Sequence, residues 1–264
     1  MRPNRLKQAL AERRPVVGVF CSTPAPVVVE MIGWAGFDFV IIDTEHALVN
    51  PETLENMVRA AEAVGITPLV RVAENAPGPI LRALDAGAQG VVVPRVQSRA
   101  DAERAVHASR YHPEGERSLN AGRFARFGAV DLPEYVRRAN AEVLVVAMIE
   151  DAAGVEALGS ILQVPGVDLV LEGAADLSQS LGMPWATRHP RVREALCRVQ
   201  EAAHTRGIPF CAIPRADEDI SFWWERGVRV FIAGDERGVA FRALQAKRQS
   251  YLPFTGTGDG GSQP

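Results

Sequence analysis

Lysine and cysteine are both scarce in this 264-residue chain. Its lysines, Lys7 and Lys247, lie near the two ends of the sequence. A lysine that forms a Schiff base with a carbonyl substrate must stand inside an active site, so this distribution argues against that mechanism. The three cysteines are widely spaced, which fits neither a disulfide framework nor a CxxC metal site and favours a reducing cytoplasm. Cys21 and Cys211 lie on or beside predicted strands, where we expect packed core thiols.

Long apolar runs, an excess of positive charge and two catalytic motifs are also missing. No stretch approaches the length of a membrane-spanning helix, and the first residues lack the apolar core of a signal peptide. We therefore expect a soluble, cytoplasmic protein with no membrane partner. The formal net charge of -3 argues against nucleic acid as a partner. No serine has the GxSxG context of a hydrolase, and no GxGxxG loop follows the first strand.

What the sequence does contain is a repeated unit, in which a helical run ends at a glycine and a short apolar strand follows. Glycine suits this position because the residue after a helix often adopts a left-handed conformation. The strands are continuously apolar, as in a parallel sheet that is buried on both faces. The unit occurs six times, at Gly36, Gly65, Gly87, Gly166, Gly207 and Gly227.

Two further apolar segments, residues 15–20 and 142–149, raise the number of predicted strands to eight. Eight strands, most of them preceded by a helical segment, are typical of a (β/α)8 barrel, the TIM-barrel form of the α/β class. We therefore predict a single barrel domain over residues 1–251, with an open doubly wound sheet as the alternative. Residues 252–264 are rich in glycine, proline and polar residues, which predicts a disordered tail.

Ionisable side chains gather where the predicted strands end, and barrel enzymes carry out their chemistry at these ends. Glu150 and Asp176 follow the fifth and sixth strands, and this carboxylate pair is suited to hold Mg2+ or Mn2+, with Co2+ as an alternative. His46 and Arg71 follow the second and third strands. A metal that chelates a 2-oxo acid stabilises charge on the keto oxygen, a histidine moves the proton, and an arginine neutralises the charged oxygen. The pattern predicts enolate chemistry.

Several segments resemble the HpcH/HpaI aldolase family, the metal-dependent 4-hydroxy-2-oxo-heptanedioate aldolases and their relatives. The resemblance runs from about residue 5 to residue 247 and rests on AGFDFVIIDTEHA, PLVRV, ALDAGAQGVVVPRVQS, RYHPEGER, MIED and ADLSQSLG. It implies a phosphoenolpyruvate/pyruvate-type barrel whose last helix is exchanged between neighbours in a homohexamer, a trimer of dimers. It also implies that the enzyme forms or cleaves 4-hydroxy-2-oxo acids through a pyruvate or oxaloacetate enolate and an aldehyde.

The resemblance also implies roles for individual residues. Glu150 and Asp176 bind the metal. His46 acts with Asp43 in proton transfer, and Arg71 contacts the pyruvate or oxaloacetate oxygen. Further substrate contacts are expected from Phe20, Arg117, Gly173, Ala174 and Ala175.

Five positions depart from the family pattern, namely Phe20, Ser118, Met148, Glu172 and Ala174, and three of them are candidate specificity residues. Met148 stands where the family usually has a glutamine, and methionine cannot form a comparable hydrogen bond to substrate or water. Glu172 replaces an apolar residue, and its carboxylate either points into the barrel mouth, where it would repel an acidic substrate or hold a cation, or faces solvent. Ser118 replaces the usual glycine. Because the metal ligands are kept, we interpret these changes as a sign of an altered substrate.

Two alternative functions stay open at this point. The first is a biosynthetic relative, either a siderophore-type citrate synthase that adds an acetyl group to oxaloacetate or an enzyme that couples decarboxylation to carbon–carbon bond formation. The segment AGRFARFG, with Arg123 and Arg126, suits an acidic substrate or a bulky acyl donor, and equally a solvated basic loop. The second is a non-catalytic barrel scaffold, which requires that Met148 and Glu172 disable the site.

Overall fold

A computed structural model describes residues 2–255. Within these residues, eight parallel strands close into a barrel in chain order, and helices surround them. The strands are β1 (Val16–Cys21), β2 (Phe39–Asp43), β3 (Thr67–Arg71), β4 (Gly90–Val93), β5 (Leu144–Ile149), β6 (Leu169–Glu172), β7 (Phe210–Ala212) and β8 (Val230–Asp235). The helices are α1 (Arg5–Ala11), α2 (Pro26–Trp34), α3 (Pro51–Val64), α4 (Pro77–Ala86), α5 (Arg99–Ser109), α6 (Leu132–Glu142), α7 (Ala152–Glu156), α8 (Leu158–Ile161), α9 (Ala174–Ser180), α10 (Pro190–Thr205), α11 (Asp217–Glu225), α12 (Glu236–Gln249) and α13 (Leu252–Thr255), with a 3-10 helix over Arg123–Gly128.

The closed barrel confirms the predicted fold and excludes the open doubly wound sheet. Each strand pairs in parallel with the next, and β8 pairs with β1. The glycines of the repeated unit all have positive φ angles, between 69° and 114°. Residues 252–255 form α13, and residues 256–264 of the predicted tail lie outside the described part of the chain.

Alternation along each strand separates an inner layer of side chains from an outer one. On β5, Leu144, Val146 and Met148 pack inside the barrel, whereas Val145 and Ile149 pack against the surrounding helices. This alternation decides which residues beyond each strand face the barrel mouth, at the carboxyl ends of the strands.

Helix α1 closes the opposite end of the barrel. Its N-cap residue Asn4 donates side-chain hydrogen bonds to the carbonyl oxygens of Gln89 and Glu142, at 2.9 and 2.8 Å. Leu6 and Ala9 are buried against the inner layer. Burial of a leucine side chain such as Leu6 contributes about 2 kcal/mol. Helix α1 therefore covers the inner layer at the amino ends of the strands.

Helix α3 shows how the sequence returns the chain from one strand to the next. It begins at Asn50, whose side chain accepts the Thr53 N–H at 2.8 Å, and Pro51 occupies the first helical turn. Loss of such a cap costs about 1 kcal/mol. Leu54, Met57, Val58 and Ala61 then bury one face, and a left-handed glycine ends the helix before β3.

Helix α12 differs from the other long helices because, within the described chain, it buries none of its residues. Val239, Phe241 and Leu244 are all exposed. Its start is nevertheless fixed to the barrel mouth, since Glu236 accepts hydrogen bonds from the backbone N–H groups of Ser22 and Thr23 at 2.8 Å. None of the helices in residues 2–255 combines the length and hydropathy that crossing a membrane requires.

Candidate active site

Polar side chains replace apolar ones where the inner layer reaches the barrel mouth. On β2 and β3, Asp43 and Arg71 continue the inward-facing positions of Ile41 and Leu69. The register of the two strands places Asp43 directly opposite Arg71. Adjacent strands therefore bring a carboxylate and a guanidinium group together at the point where the barrel opens.

Arg71 and Asp43 form a buried, bidentate ion pair. Arg71 Nε donates to Asp43 Oδ1 at 3.0 Å and Nη2 donates to Oδ2 at 2.7 Å; the side chains are 11% and 2% exposed. Burial acts to raise the pKa of Asp43, but the hydrogen bonds and charge of Arg71 outweigh it and lower that pKa. The guanidinium also lies 4.7 Å from the ring centroid of Phe20 and 3.3 Å from Glu45 Oε2. These contacts hold Arg71 in one orientation.

His46 lies at the rim of the mouth, with its side chain 58% exposed. The carboxylate beside its ring belongs to Glu45, whose Oε2 is 3.7 Å from His46 Nε2. Asp43 instead accepts the backbone N–H of His46 at 3.3 Å. The Asp43 oxygens are thus occupied by Arg71 and by backbone N–H groups, and the joint role of His46 and Asp43 in proton transfer stays a prediction.

Glu150 and Asp176, which follow β5 and β6, line one cavity of about 220 Å³. Glu150 Oε1 accepts the backbone N–H of Arg95 at 2.7 Å. Burial raises the pKa of Glu150 to about 7, and the charges of Glu45 and Asp176 act in the same direction. A cation stabilises a buried carboxylate that lies near a second one, and carboxylate oxygens are ligands that Mg2+ and Mn2+ prefer.

The donor set at this cavity fits a divalent metal ion. Residues 2–255 contain no group of three or more His, Cys, Asp or Glu side chains arranged to hold an ion. The Glu150 and Asp176 pair would therefore leave most of an octahedral shell to water and substrate. Gly173 allows the pair to form, since a Cβ at this residue would lie 2.3 Å from Glu150 Cβ and 2.7 Å from Glu150 Oε2. Only glycine lets the start of α9, which carries Asp176, approach Glu150 so closely.

We expect Gly173→Ala to disturb the carboxylate pair, because the added methyl group overlaps Glu150 and approaches the Met148 Cε position to 2.9 Å. Overpacking of this kind costs about 1–3 kcal/mol of unfolding free energy. Displaced metal ligands should also weaken Mn2+ binding by about tenfold or more. Urea denaturation and Mn2+ titration followed by electron paramagnetic resonance measure the two effects.

Gly159→Ala is the matched control, since no atom lies within 4 Å of a Cβ at this helical glycine. It should leave Mn2+ binding unchanged. Wild-type Mn2+ affinity in Gly173→Ala would show that the close approach at this glycine does not position Glu150.

The chain matches a family model described as HpcH/HpaI aldolase/citrate lyase over residues 16–228, from β1 to beyond α11. It belongs to the HpcH/HpaI aldolase/citrate lyase family. Members of this family act on carbon–carbon bonds and are generally dependent on divalent metals. The chain is therefore a carbon–carbon lyase in the broad sense of that family.

Relatives in the HpcH/HpaI family include both aldolases and a citrate synthase. The chain is 32% identical over 246 residues to 5-keto-4-deoxy-D-glucarate aldolase of Salmonella paratyphi A, and the matched region covers 93% of this chain and 95% of the relative. Its sequence is 45% identical to that of citrate synthase SbnG, whose crystal structure superposes with a TM-score of 0.86. The match covers 93% of this chain and 96% of SbnG. An HpcH/HpaI aldolase from Desulfitobacterium hafniense is 31% identical, with 98% and 99% coverage and a TM-score of 0.87.

Glu172, a departure from the HpcH/HpaI pattern, lies neither in the mouth nor in solvent. It follows the outward-facing Val170 by two residues and is fully buried. Its Oε1 accepts the Ile213 N–H and its Oε2 accepts Arg215 Nη1, both at 2.7 Å. Burial raises the pKa of Glu172, against the opposing charge of Arg215. Both sequence-based interpretations of Glu172 are wrong, since its carboxylate ties the end of β6 to the segment after β7.

Arg117 does not reach the barrel mouth within this chain. Its Nη2 donates to Asp85 Oδ1 at 2.8 Å, and its guanidinium lies 4.7 Å from the ring centroid of Tyr111. Asp85 lies in the last turn of α4, next to the amino end of β4, so the pair is at the opposite end of the barrel. The expected substrate contact of Arg117 is therefore not formed inside the chain, and the adjoining Ser118 is exposed at the same end.

The other predicted substrate residues do gather at the mouth. Gly173, Ala174 and Ala175 form the link from β6 into α9, where Gly173 touches Glu150. Phe20 stacks on Arg71. Met148 is buried in the inner layer, two residues before Glu150.

Sequence reasoning missed Ser22, Glu45 and Arg95 as members of the site. Ser22 Oγ hydrogen-bonds to Asp235 and lies 3.5 Å from Asp43 Oδ2. Glu45 lies between Arg71 and His46, and Arg95 lies beside Glu150. All three follow strands closely, so their strand-end positions were the available signal.

Proposed function

We propose that this chain joins a small 2-oxo dicarboxylate to the acetyl group of a thioester, in the manner of a citrate synthase, with the help of a divalent metal. The observation that carries the proposal is the 45% identity to citrate synthase SbnG over 93% of the chain, compared with 32% to the glucarate aldolase. The barrel mouth supports it with a carboxylate pair, an oriented arginine and an exposed histidine.

Different residues of the mouth would bind the metal and contact the substrate in this reaction. Glu150 and Asp176 would hold Mg2+ or Mn2+, which supplies Lewis acidity toward the carbonyl group of a 2-oxo acid. Arg71 has five N–H donors, and those not used by Asp43 and Glu45 would be available to a substrate oxygen. Phe20 keeps the guanidinium in place from the opposite side.

His46 is assigned the proton transfer. In a synthase it takes a proton from the methyl group of the acetyl donor, and the resulting carbanion adds to the carbonyl carbon of the 2-oxo acid. The alkoxide formed in this addition takes up a proton, and water then hydrolyses the thioester to release a tricarboxylate product and the free thiol. Glu45 lies beside the ring, with its Oε2 3.7 Å from His46 Nε2.

An aldolase is the second candidate function, favoured by the family model and by the glucarate aldolase relative. The same residues serve this reaction, but a different molecule loses its proton. His46 removes a proton from C3 of pyruvate or oxaloacetate, and the enolate adds to an aldehyde to give a 4-hydroxy-2-oxo acid. Cleavage runs through the same steps in reverse.

The site of deuterium exchange distinguishes the two reactions. The protein is incubated in D2O with Mg2+ or Mn2+, in one sample with oxaloacetate and acetyl-CoA and in another with pyruvate, and followed by NMR. A synthase gives metal-dependent citrate and free thiol. An aldolase gives metal-dependent loss of the pyruvate methyl signal and cleaves 4-hydroxy-2-oxo acids.

His46→Asn should slow whichever reaction occurs by about 100-fold or more, because a positioned proton acceptor contributes at least that factor. His107→Asn, on the exposed face of α5, is the control and should leave the rate unchanged. Absence of product and of exchange with every metal would overturn both enzymatic candidates and favour a non-catalytic scaffold.

We further propose that the chain works as a homo-oligomer in which α12 packs on a second copy. Support comes from the uncovered side chains of Val239, Phe241 and Leu244 and from the exchanged last helix that the family resemblance implies. A hexamer built from dimers is the assembly we expect. The cytoplasmic location also stays a prediction.

The double substitution Phe241→Glu and Leu244→Glu should dissociate the oligomer, since two charges would be buried in an apolar contact. Light scattering after size-exclusion chromatography measures the mass. Gln245→Glu adds one charge to the same exposed helix and serves as the control. A wild-type protein that elutes as a monomer at every concentration would rule out the proposed packing.

A further inference from the structure

Arg95 occupies an unusual place beside the carboxylate pair. It follows β4 by two residues and has a φ angle of 52°, in the left-handed region that non-glycine residues seldom adopt. This conformation directs its backbone N–H to Glu150 Oε1 at 2.7 Å. Such a strained residue costs about 1–3 kcal/mol and persists only where surrounding contacts impose it. Arg95 is therefore fixed to Glu150 through its backbone, while its side chain is left for another purpose.

The charges around the cavity give the Arg95 side chain a distinct role. Of the described residues that line the cavity, Arg95 alone is positively charged, and Glu150, Asp151 and Asp176 are carboxylates. A divalent metal would neutralise Glu150 and Asp176. Asp151 already accepts hydrogen bonds from the Gln97 side chain and from the backbone N–H of Gly154.

Arg95 also differs from the other arginines that follow the strands. Arg71 is bound by Asp43 and Glu45, and Arg215 is bound by Glu172. In residues 2–255, no carboxylate oxygen lies within ion-pair distance of the Arg95 guanidinium, which is exposed at the cavity. Arg95 is thus a cation at the mouth without a carboxylate partner among the described residues, and it is available to an anionic ligand.

We propose that Arg95, with the side-chain amide of Gln179 at the same cavity, forms a subsite for the second carboxylate of a 2-oxo dicarboxylate. The inference rests on the proposed function, in which Glu150 and Asp176 would hold a divalent metal that supplies Lewis acidity to the 2-oxo end of the substrate. A guanidinium anchored next to Glu150 can reach the other end of a four-carbon diacid, and its planar fork matches a carboxylate. Pyruvate has no second carboxylate, so Arg95 discriminates between dicarboxylic and monocarboxylic 2-oxo acids.

The test compares two ligands on the Mg2+-loaded protein by isothermal titration calorimetry, using freshly dissolved oxaloacetate and pyruvate. Arg95→Gln should weaken oxaloacetate binding by about tenfold, as expected for the loss of a charge-assisted hydrogen bond. Pyruvate binding should change by less than about twofold, since it makes no such bond. Arg95→Lys should restore part of the oxaloacetate affinity because it keeps the charge. Mn2+ affinity, measured by electron paramagnetic resonance, should not fall in either variant.

Arg99→Gln is the matched control, because Arg99 is exposed near the same loop and pairs with Glu103 on α5. Arg99→Gln should leave the affinities for oxaloacetate and pyruvate unchanged. An equal loss of oxaloacetate and pyruvate affinity in Arg95→Gln would overturn the subsite, since Arg95 would then act through the metal ligands.

The outcomes separate this inference from the proposed function. Oxaloacetate binding that is metal-dependent in the wild type and unchanged in Arg95→Gln would overturn the subsite alone. A wild-type protein that binds neither 2-oxo acid in the presence of any divalent metal would overturn the proposed function, and the subsite with it.

Discussion

Glu150→Gln is expected to abolish Mn2+ binding and to lower kcat/KM by about 1,000-fold or more, because the metal supplies several kcal/mol of charge stabilisation in the transition state. Glutamine has nearly the same shape and keeps an oxygen that accepts the Arg95 N–H. The fold should therefore survive. Mn2+ titration and steady-state kinetics measure the effect, and Glu156→Gln on the exposed end of α7 provides the control. Normal Mn2+ affinity in Glu150→Gln would exclude Glu150 as a metal ligand.

In metal-free protein, we expect Glu150→Gln to change how the free energy of unfolding depends on pH. The pKa of Glu150 is raised by burial from its ordinary value of 4.5 to about 7 in the folded state. The folded protein therefore binds this proton more tightly than the unfolded chain does, so the contribution is favourable below pH 4.5 and is lost as pH rises to about 7. With EDTA present, the wild-type free energy of unfolding should fall across this window relative to Glu150→Gln. Parallel pH profiles for the two proteins would contradict the burial of this charge.

Asp43→Ala should lower the free energy of unfolding by about 3 kcal/mol, because it removes the bidentate partner of the buried Arg71 and leaves only the longer contact with Glu45. Activity should be lost as well, since the Arg71 guanidinium is no longer oriented. Urea denaturation measures the stability. Glu55→Ala removes one partner of the exposed Glu55–Arg59 pair, with side chains 41% and 53% exposed, and should cost at most about 1 kcal/mol.

The double variant Asp43→Ala with Arg71→Met separates stability from catalysis. An apolar side chain removes the unpaired charge and still packs against Phe20, so part of the lost stability should return. Activity should not return. Equal stability losses in Asp43→Ala and Glu55→Ala would mean that solvent screens the Arg71 pair.

The sequence was sufficient to predict the barrel because its signals are local. A glycine after each helix and an apolar strand after each glycine depend only on backbone conformation and on burial of both sheet faces. Placement of Glu150 and Asp176 also followed from a local rule, that barrel sites form at the carboxyl ends of strands. Their convergence on one cavity depends on Gly173, whose importance emerges only from its distance to Glu150.

Side-chain partners from distant segments could not be predicted in this way. Glu172 is paired with Arg215, which lies 43 residues further along the chain, and Arg117 is paired with Asp85, 32 residues earlier. Because each side chain is paired with a distant residue, neither Glu172 nor Arg117 places its charge in the barrel mouth, where the sequence pattern suggested an effect on the substrate. Alternation along β6 was the only local sign that Glu172 faces outward.

The attachment of α12 to the barrel mouth has a consequence for how the enzyme responds to dilution. Asp235 hydrogen-bonds to Ser22, and Glu236 binds the backbone next to it, so the first residues of α12 share a network with Asp43. If α12 packs on a second copy, substrate binding and assembly are reciprocally coupled, and each must strengthen the other by the same factor. A 2-oxo acid should then shift the monomer–oligomer equilibrium, and specific activity should depend on enzyme concentration.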